Sequence, residues 1–292
     1  MKVDYLIETE ADVEIFRSTK GYTYIEENGT VKPLEDSILL VSENSKLYLD
    51  FTDKNHGFSI TGSGNVSLNN FEGNGLLCDI TRYGSGKVSI ENAIFKDLTV
   101  SGDLSDVSVK NAIAGNFNGK NHQGDISIDG LVGMTVKLDN LNGDIHFDML
   151  AASAYLQVVN KNGDVETGKV NAKRADFQSS SGDISVQEIN SDLINIDNEN
   201  GDVSLTINDC KDCFHENVKV DNGDFSSSGV RGDYEDSSKK SLNIHCVNGD
   251  VVINYLGRTI NPEAKEEEVI PEYLFEEDMS TDSVISSNHQ KK

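Results

Sequence analysis

Cysteine and histidine residues are the first candidates for chemistry in this sequence. Cys210 and Cys213 have the CxxC spacing found in many zinc sites, and His245 and Cys246 follow one repeat unit later. Structural zinc needs four ligands that converge tetrahedrally. In a strand, Cys246 alternates with Ile244 and points inward while His245 points outward, so the second pair cannot converge on one ion. We therefore predict structural or incidental thiols and no metal site.

The aspartates that follow the turn glycines are the second candidates. If the turns stack, these carboxylates form a column about 4.8 Å apart and repel one another. Either Ca²⁺ compensates for this repulsion, or each Asp accepts backbone N–H groups within its own turn and stays hydrated. The second interpretation is favoured, because the GGxGxD spacing of calcium-binding β-roll repeats does not occur. The column comprises Asp106, Asp125, Asp144, Asp164, Asp183, Asp202, Asp224 and Asp250.

The sequence contains no pattern typical of catalysis. GxSxG, HExxH and phosphate-cradling glycine loops do not occur, and the six His are scattered. Glycan-cleaving β-helices place an acid and a base in a groove walled by long loops; the repeat leaves almost no loop, and its outward strand positions offer no aromatic platform. The RGD tripeptide Arg231-Gly232-Asp233 is weak support for integrin contact among so many Gly-Asp pairs. We predict a protein that is not an enzyme, with no catalytic, cofactor-binding or metal-binding residues.

An internal repeat determines which strands and turns carry these residues. Most of its turns hold Ser-Gly or Asn-Gly, with Gln-Gly at residues 123–124 and Ser-Asp at residues 105–106, and Asp follows the turn position in most units, as in NGDIHF from residue 142 and SGDISV from residue 181. Apolar residues lie two and four places after the turn position and seven and five places before the next, which is the period-two alternation of β-strands. The turn positions 64, 86, 105, 124, 143, 163, 182, 201, 223 and 249 follow one another at steps of 22, 19, 19, 19, 20, 19, 19, 22 and 26.

A column of polar residues on the inward face decides how the units are arranged. Three places before the turn, five successive units carry Asn121, Asn140, Asn160, Ser179 and Asn198. A buried, unpaired amide costs roughly 1–3 kcal/mol, so each of these residues needs a partner. Parallel, in-register stacking supplies one, because each amide can donate to the carbonyl of the next amide. A meander of hairpins, for which Asn-Gly is the usual turn signal, leaves the column without partners.

The sequence therefore predicts an all-β fold, a parallel β-solenoid of about ten coils with two main strands per coil of about 19–22 residues. Laid out as SGD/NGD-(I/V)-S-(V/L) units, residues 58–256 resemble the bacterial adhesin-like family of β-strand repeat proteins. The resemblance is carried by the array, since a single unit is a weak signature. It implies a β-solenoid without catalytic residues and a surface or adhesive role.

Composition limits the location and the partners. The 292 residues include 50 acidic and 25 basic side chains, a formal net charge of −25, so direct attraction to nucleic acid or anionic lipid has the wrong sign. No apolar run reaches the length of a membrane span, and the N-terminal sequence lacks the pattern of a classical signal peptide. Four cysteines are too few for a disulfide framework and suit a reducing compartment. We expect a cytoplasmic rather than a cell-surface location.

Three segments are expected along the chain. Residues 1–57 are richer in aromatics, lack the Gly-Asp turn and are predicted to form an N-terminal β cap over the end of the solenoid. Residues 58–256 form the repeat domain, and residues 257–292 form an acidic, disordered tail.

The predicted function is a non-catalytic binding or adhesion module for a protein or glycan ligand. Its outward faces present repeated polar groups. One of them is the serine column at 67, 89, 108, 127, 185, 204 and 226. The alternative is a cytoplasmic structural scaffold that self-associates end to end, or an acidic mimic of nucleic acid.

Overall fold

The computed structural model describes residues 5–35, 38–50, 57–72, 77–81, 86–232 and 239–257. Apart from one 3₁₀ turn at Lys211–Cys213, the regular elements in these ranges are β-strands, which confirms the all-β class. The strands are β1 (Tyr5–Thr9), β2 (Val13–Arg17), β3 (Tyr24–Glu27), β4 (Thr30–Pro33), β5 (Ile38–Val41), β6 (Ser45–Leu49), β7 (Gly57–Gly62), β8 (Val66–Glu72), β9 (Leu77–Thr81), β10 (Val88–Leu104), β11 (Val107–Gln123), β12 (Ile126–Asn142), β13 (Ile145–Asn162), β14 (Val165–Ser181), β15 (Ile184–Asn200), β16 (Val203–Ile207), β17 (Phe214–Asn222), β18 (Phe225–Gly229), β19 (Lys240–Asn248) and β20 (Val251–Tyr255).

Parallel pairing between coils confirms the solenoid over the meander. Strand β11 pairs in parallel with β10 on one side and β12 on the other, and the register is nearly continuous along each strand. Each long strand from β10 to β15 starts after one turn and ends before the next, so a layer comprises the end of one strand, a turn and the start of the following strand. From the N-terminal end, the described layers are β5–β6, β1–β2, β7–β8, β9–β10, β10–β11, β11–β12, β12–β13, β13–β14, β14–β15, β15–β16, β19–β20 and β17–β18.

The core is one continuous column of apolar side chains inside the stack. Strand β10 shows the pattern: inward residues are buried and their neighbours are not, with two breaks in the alternation where the chain bends. The buried side chains of β10 are Val88, Ile90, Ala93, Phe95, Leu98 and Val100. Equivalent residues lie directly above one another in register, as Ile90 does with Leu68 and Ala93 with Phe71. The ring of Phe71 also stacks on that of Phe95, with centroids 5.5 Å apart. Burial of this column supplies the main driving force for folding.

The order of the layers in space differs from their order in the sequence at both ends, where a uniform repeat predicts that they coincide. The first strands, β1 and β2, lie between the layers β5–β6 and β7–β8. The last strands, β19 and β20, lie between the layers β15–β16 and β17–β18. At each end of the stack, the terminal strands of the described chain therefore form the second layer from the end. The outermost layer there is formed by a segment that lies further inside the sequence.

This arrangement changes the expectation for residues 1–57. Instead of an irregular cap, β1, β2, β5 and β6 add two layers that continue the parallel stack. Among the described residues of this segment, only the hairpin β3–β4 departs from the pattern, with β3 pairing antiparallel to β6. The ten remaining layers, from 57 to 255, match the predicted number of coils. The predicted tail lies outside the described residues from 258 onward.

The inward asparagines are buried as predicted, but the predicted ladder between their amides is wrong. Asn140 and Asn198 are both 0% exposed, and their Nδ2 atoms donate to the turn carbonyls of Gly124 and Gly182 at 3.1 and 3.3 Å. Asn198 also donates to Gly201 of its own turn at 2.8 Å. The column therefore ties each turn to the strand of the next layer, because a turn carbonyl is the acceptor within reach of the amide nitrogen.

The turn aspartates likewise bond between layers, not within their own turns as expected. Asp164 Oδ1, for example, accepts the backbone N–H of Asp183 in the next layer at 2.8 Å. Equivalent bonds of 2.8–3.2 Å run along the column from Asp106 to Asp224. At one end, the Lys87 ammonium lies 2.9 Å from Asp106, and its hydrogen bond is the main reason that the pKa of this carboxyl is lowered. The aspartate column thus continues the β-ladder around the turn.

Candidate binding surface

The cysteine pair that suggested a metal site forms a disulfide between Cys210 and Cys213, so the prediction of free thiols is wrong for this pair. Asp209 joins them in the one group of potential ligands that converges within the described residues. Cys246 is a free, buried thiol, as its inward position predicted, and it stands in register with Asn198. Its Sγ lies 3.5 Å from the carbonyls of Gly201 and Gly249, so it takes the place of the asparagine in that layer. Burial is the main cause of its raised pKa.

The serine column is in register but is not continuous. Ser67, Ser89, Ser108 and Ser127 pair in sequence, and then His146, Glu166 and, further along, Val252 occupy the same position. Of the RGD tripeptide, Arg231 is exposed, and Asp233 lies outside the described residues.

Another outward face, formed by the strand segments just before the turns, holds a polar groove of about 440 Å³. Strands β13, β14, β15, β19 and β17 build it from neighbouring layers, because successive outward positions of each strand come into register. We call this site the polar groove. Its polar side chains are Gln157, Arg174, Asp176, Gln178, Asn195, Asp197, Asn217, Lys219, Asn243 and His245.

Asp176 is the centre of the polar groove. The Arg174 guanidinium binds its carboxylate through Nε and Nη2, the latter at 2.7 Å. The Tyr155 hydroxyl donates to it at 2.8 Å, and Asn195 Nδ2 donates at 2.6 Å. Partial burial opposes ionisation of Asp176, but these hydrogen bonds outweigh it and lower the pKa of the carboxyl. Burial and the same hydrogen bond raise the pKa of Tyr155 to about 12.

An amide ladder extends from Asp176 across the groove. Asn195 donates to Asp176, Asn243 donates to Asn195 Oδ1 at 2.9 Å, and Asn217 donates to Asn243 Oδ1 at 3.4 Å. Side-chain amide ladders therefore exist in this solenoid, but on the outside rather than in the core. The ladder fixes the direction of each amide, so the remaining donors and acceptors face the groove in a defined pattern.

A second cluster borders the ladder. His245 lies between two carboxylates, 3.3 Å from Asp197 through Nδ1 and 3.2 Å from Asp221 through Nε2. The Lys219 ammonium is 2.7 Å from Asp221, and its hydrogen bond is the main reason that the pKa of Asp221 is lowered, followed by the bond to His245. The groove therefore presents cations and anions that already neutralise one another.

This surface was not predicted from the sequence. The outward strand positions were expected to offer no aromatic platform, whereas Tyr155 is half-buried beside Arg174, whose guanidinium carbon lies 5.2 Å from the ring centroid. A run of Asn, Asp and Gln at the same place before successive turns was the available signal. Its last members could not be placed, because Asn243 lies between Asn195 and Asn217 only through the exchanged layer order.

These features define the class of protein: a parallel β-solenoid built from β-strand repeats, with polar columns on its outer faces. A family model described as Toastrack DUF4097 matches residues 6–254, and the chain belongs to this family. Neither the curated proteins nor the solved structures contain a match. In the ranges described, no helix has the length and hydrophobicity needed to cross a bilayer.

The Asp176→Asn variant should weaken the protein by about 2 kcal/mol at pH 7, because the charge-assisted hydrogen bonds from Arg174, Asn195 and Tyr155 are lost. The pKa of Asp176 is lowered in the folded state, so its contribution is complete above the pKa of the unfolded chain, near 3.8, and is lost as the pH falls through the folded value. The difference in melting temperature from the wild type should therefore stay constant from pH 7 down to about pH 4 and shrink as the pH falls further.

Asp197→Asn is the matched control for this measurement. The Asp197 side chain is 56% exposed and pairs with His245, so its replacement should change the melting temperature little at any pH. Equal losses for both variants, or a constant difference down to pH 3, would contradict the central role of Asp176.

Proposed function

We propose that this protein is a non-catalytic binding module whose polar groove takes a neutral glycan strand. The observation that carries the proposal is the amide ladder anchored on Asp176, a row of planar polar side chains whose orientations are fixed before a ligand arrives. Sugar hydroxyls donate and accept at once, and they pair best with such fixed amides, carboxylates and guanidinium groups. Preorganisation also lowers the entropic cost of binding.

The layer spacing and the charge support this class of ligand. The groove spans the five strands β13, β14, β15, β19 and β17, so equivalent polar groups recur at about 4.8 Å, close to the length of one sugar ring. The net charge of −25 repels anionic polymers, which favours a neutral glycan over an anionic one. Half-buried Tyr155, whose hydroxyl donates to Asp176, places an aromatic ring beside the groove, and aromatic rings are surfaces on which sugars stack.

The test is binding to an array of linear neutral hexasaccharides, with uronic-acid hexasaccharides as the charged comparison. A double variant, Arg174→Ala with Asn243→Ala, should lower the affinity for a neutral binder at least about tenfold, a loss of about 1.4 kcal/mol. A matched double variant on the serine face, Ser127→Ala with Ser185→Ala, should bind as the wild type does.

Three outcomes would overturn the proposal: no neutral hexasaccharide binds, the uronic-acid series binds better, or the serine-face variant loses as much affinity as the groove variant. Melting curves of both variants show whether a loss of binding reflects a loss of folding.

An adhesive role at a cell surface is the wider form of this proposal, and it requires export, whereas the predicted location is cytoplasmic. Labelling of intact cells with a membrane-impermeant reagent, followed by fractionation, separates the two locations.

The alternative of an end-to-end scaffold receives less support, because the outermost layer β17–β18 carries polar groups on its inward side. At its inward positions Glu216 and Ser227 replace apolar residues, with Tyr255 Oη 2.6 Å and Lys211 Nζ 3.9 Å from Glu216. A second copy stacked on this end would bury these polar groups at a cost in free energy. The role as an acidic mimic of nucleic acid stays a prediction from the charge.

A further inference from the structure

The disulfide between Cys210 and Cys213 lies at the point where the chain leaves the order of the layers. After β16, residues 208–213 skip the adjacent layer, which β19 and β20 occupy, and lead into β17 of the outermost layer. Backbone hydrogen bonds fix this crossover from both sides: Gly257 N–H donates to Asp209 at 3.0 Å, and Lys211 N–H donates to Val230 at 2.9 Å. The segment is thus hydrogen-bonded both to the residue that follows β18 in the outermost layer and to a residue that follows β20 in the layer beneath it.

The disulfide is not needed to form its own turn. The backbone N–H of Cys213 already donates to the carbonyl of Cys210 at 3.1 Å, which closes the same four residues. Cys213 is 1% exposed and is followed by buried Phe214, which packs against Tyr255 with ring centroids 6.0 Å apart. Cys210, at 9%, is the more accessible sulfur.

Residues 230–232, which follow β18, pack against Cys210, so their position depends on whether the two sulfurs are bonded. A Cβ added at Gly232 would lie 3.1 Å from Cys210 Sγ, so this loop packs directly on the sulfur. Two thiols need a sulfur separation of roughly 3.5 Å or more, against about 2.05 Å in a disulfide. Cys213 is buried in the core, so Cys210 is the side chain that moves when the bond breaks, and any movement toward Gly232 displaces residues 230–232.

Asp209 completes the site. Its side chain is 3% exposed, its Oδ1 accepts the N–H of Cys210 at 2.8 Å, and its Oδ2 pairs with Lys240 of β19 at 3.2 Å. Its carboxylate lies within 4.8 Å of both sulfur atoms. The site therefore joins the crossover to β19, the strand inserted between β15 and β17.

We propose that Cys210 and Cys213 form a reversible dithiol–disulfide switch that controls how firmly the two C-terminal layers are locked together. A thiolate of a dithiol reductant attacks Cys210 Sγ, the bond to Cys213 breaks, and the Cys213 thiolate takes up a proton. The second thiolate of the reductant then attacks the mixed disulfide and releases Cys210, which takes up the second proton. Two electrons pass to the protein, and the reductant becomes a cyclic disulfide.

The experiment is hydrogen exchange of the full chain with and without dithiothreitol, with alkylation and peptide mass analysis to count the thiols released at Cys210 and Cys213. We expect reduction in the folded protein and exchange at least about tenfold faster in residues 208–232 and 251–257, with residues 107–200 unchanged. The double variant Cys210→Ser with Cys213→Ser should reproduce the reduced pattern without reductant, and Cys246→Ser should respond to dithiothreitol as the wild type does.

Each of the other outcomes overturns the switch. The pair could resist dithiothreitol until the protein unfolds, or be reduced with no change in exchange, which would make the disulfide purely structural. Faster exchange that spreads to residues 107–200 would show global destabilisation instead of a local lock. Stoichiometric zinc in the reduced protein, with the thiols protected from alkylation, would assign Cys210, Cys213 and Asp209 to a metal site.

Discussion

Replacing Gly182 by Ala should cost at least about 4 kcal/mol of stability and lower the melting temperature by about 10 °C or more. Gly182 has φ +134°, a conformation that residues with a Cβ rarely adopt. An added Cβ would lie 2.1 Å from the carbonyl oxygen of Gly163 in the layer below, which is backbone and cannot move aside. At Gly182 the turns stack so closely that only glycine leaves room for the neighbouring carbonyl.

Gly21→Ala is the matched control. Gly21 also has a positive φ, +73°, but an added Cβ meets no atom within 4 Å. This variant should lose only about 1 kcal/mol, the cost of the backbone conformation alone. Thermal and denaturant melting of both proteins checks the prediction. A Gly182 variant as stable as the Gly21 variant would show that the turns can separate, which contradicts tight stacking.

Asn198→Asp should be the second most damaging substitution, with a loss of at least about 3 kcal/mol at pH 7. Asn198 is 0% exposed, and its amide nitrogen donates to the carbonyls of Gly182 and Gly201. A carboxylate at this position directs negative oxygen atoms at two carbonyl oxygens and has no donor nearby to compensate. Burial therefore raises the pKa of the introduced carboxyl in the folded state.

The dependence on pH distinguishes this cause from simple loss of packing. The unfolded chain releases the proton near pH 3.9, while the folded protein retains it to higher pH. Stability therefore falls as the pH rises between these two pKa values, and the defect of the Asn198→Asp variant is smallest near pH 4. Melting temperatures of the variant and the wild type from pH 4 to pH 8 measure this dependence on pH.

Asn198→Ser is the matched control, because Ser179 occupies the same column one layer below. Serine leaves at least one turn carbonyl without its donor, and a loss of about 1–2 kcal/mol is expected, independent of pH. A carboxylate variant whose stability does not change with pH would contradict a buried, uncompensated charge at this position.

Local sequence rules were sufficient for much of the fold. Val88 and Ile90, or Ile184 and Val186, alternate with polar neighbours, and this pattern directly predicts strands with one buried face. The period of the Gly-Asp turns predicted stacked coils, and burial of Asn140 and Asn160 followed from counting back from each turn. These features depend only on residues close in sequence, so they could be predicted from the sequence alone.

The hydrogen-bond partners of these residues could not be predicted from their positions in the sequence. The Asn140 amide selects the carbonyl of Gly124 over a neighbouring amide, and Asp164 accepts from Asp183 rather than from its own turn. Both choices depend on the offset between adjacent layers, a three-dimensional quantity of a few ångströms. Side-chain alternation alone does not define it.

The sequence by itself determined that this protein is a parallel stack of β-coils with inward asparagines and glycine turns, because those properties repeat within each unit. Only the tertiary structure decided which coil lies next to which. Any unit with the same period can pair with any other, so local pattern cannot exclude an exchanged order. Polar Glu216 and Ser227 suit the outermost layer, whereas apolar Leu242 and Ile253 suit an inner one. That preference inserts β19 and β20 beneath β17 and β18, and it places Asn243 against Asn195, 48 residues away, to complete the polar groove.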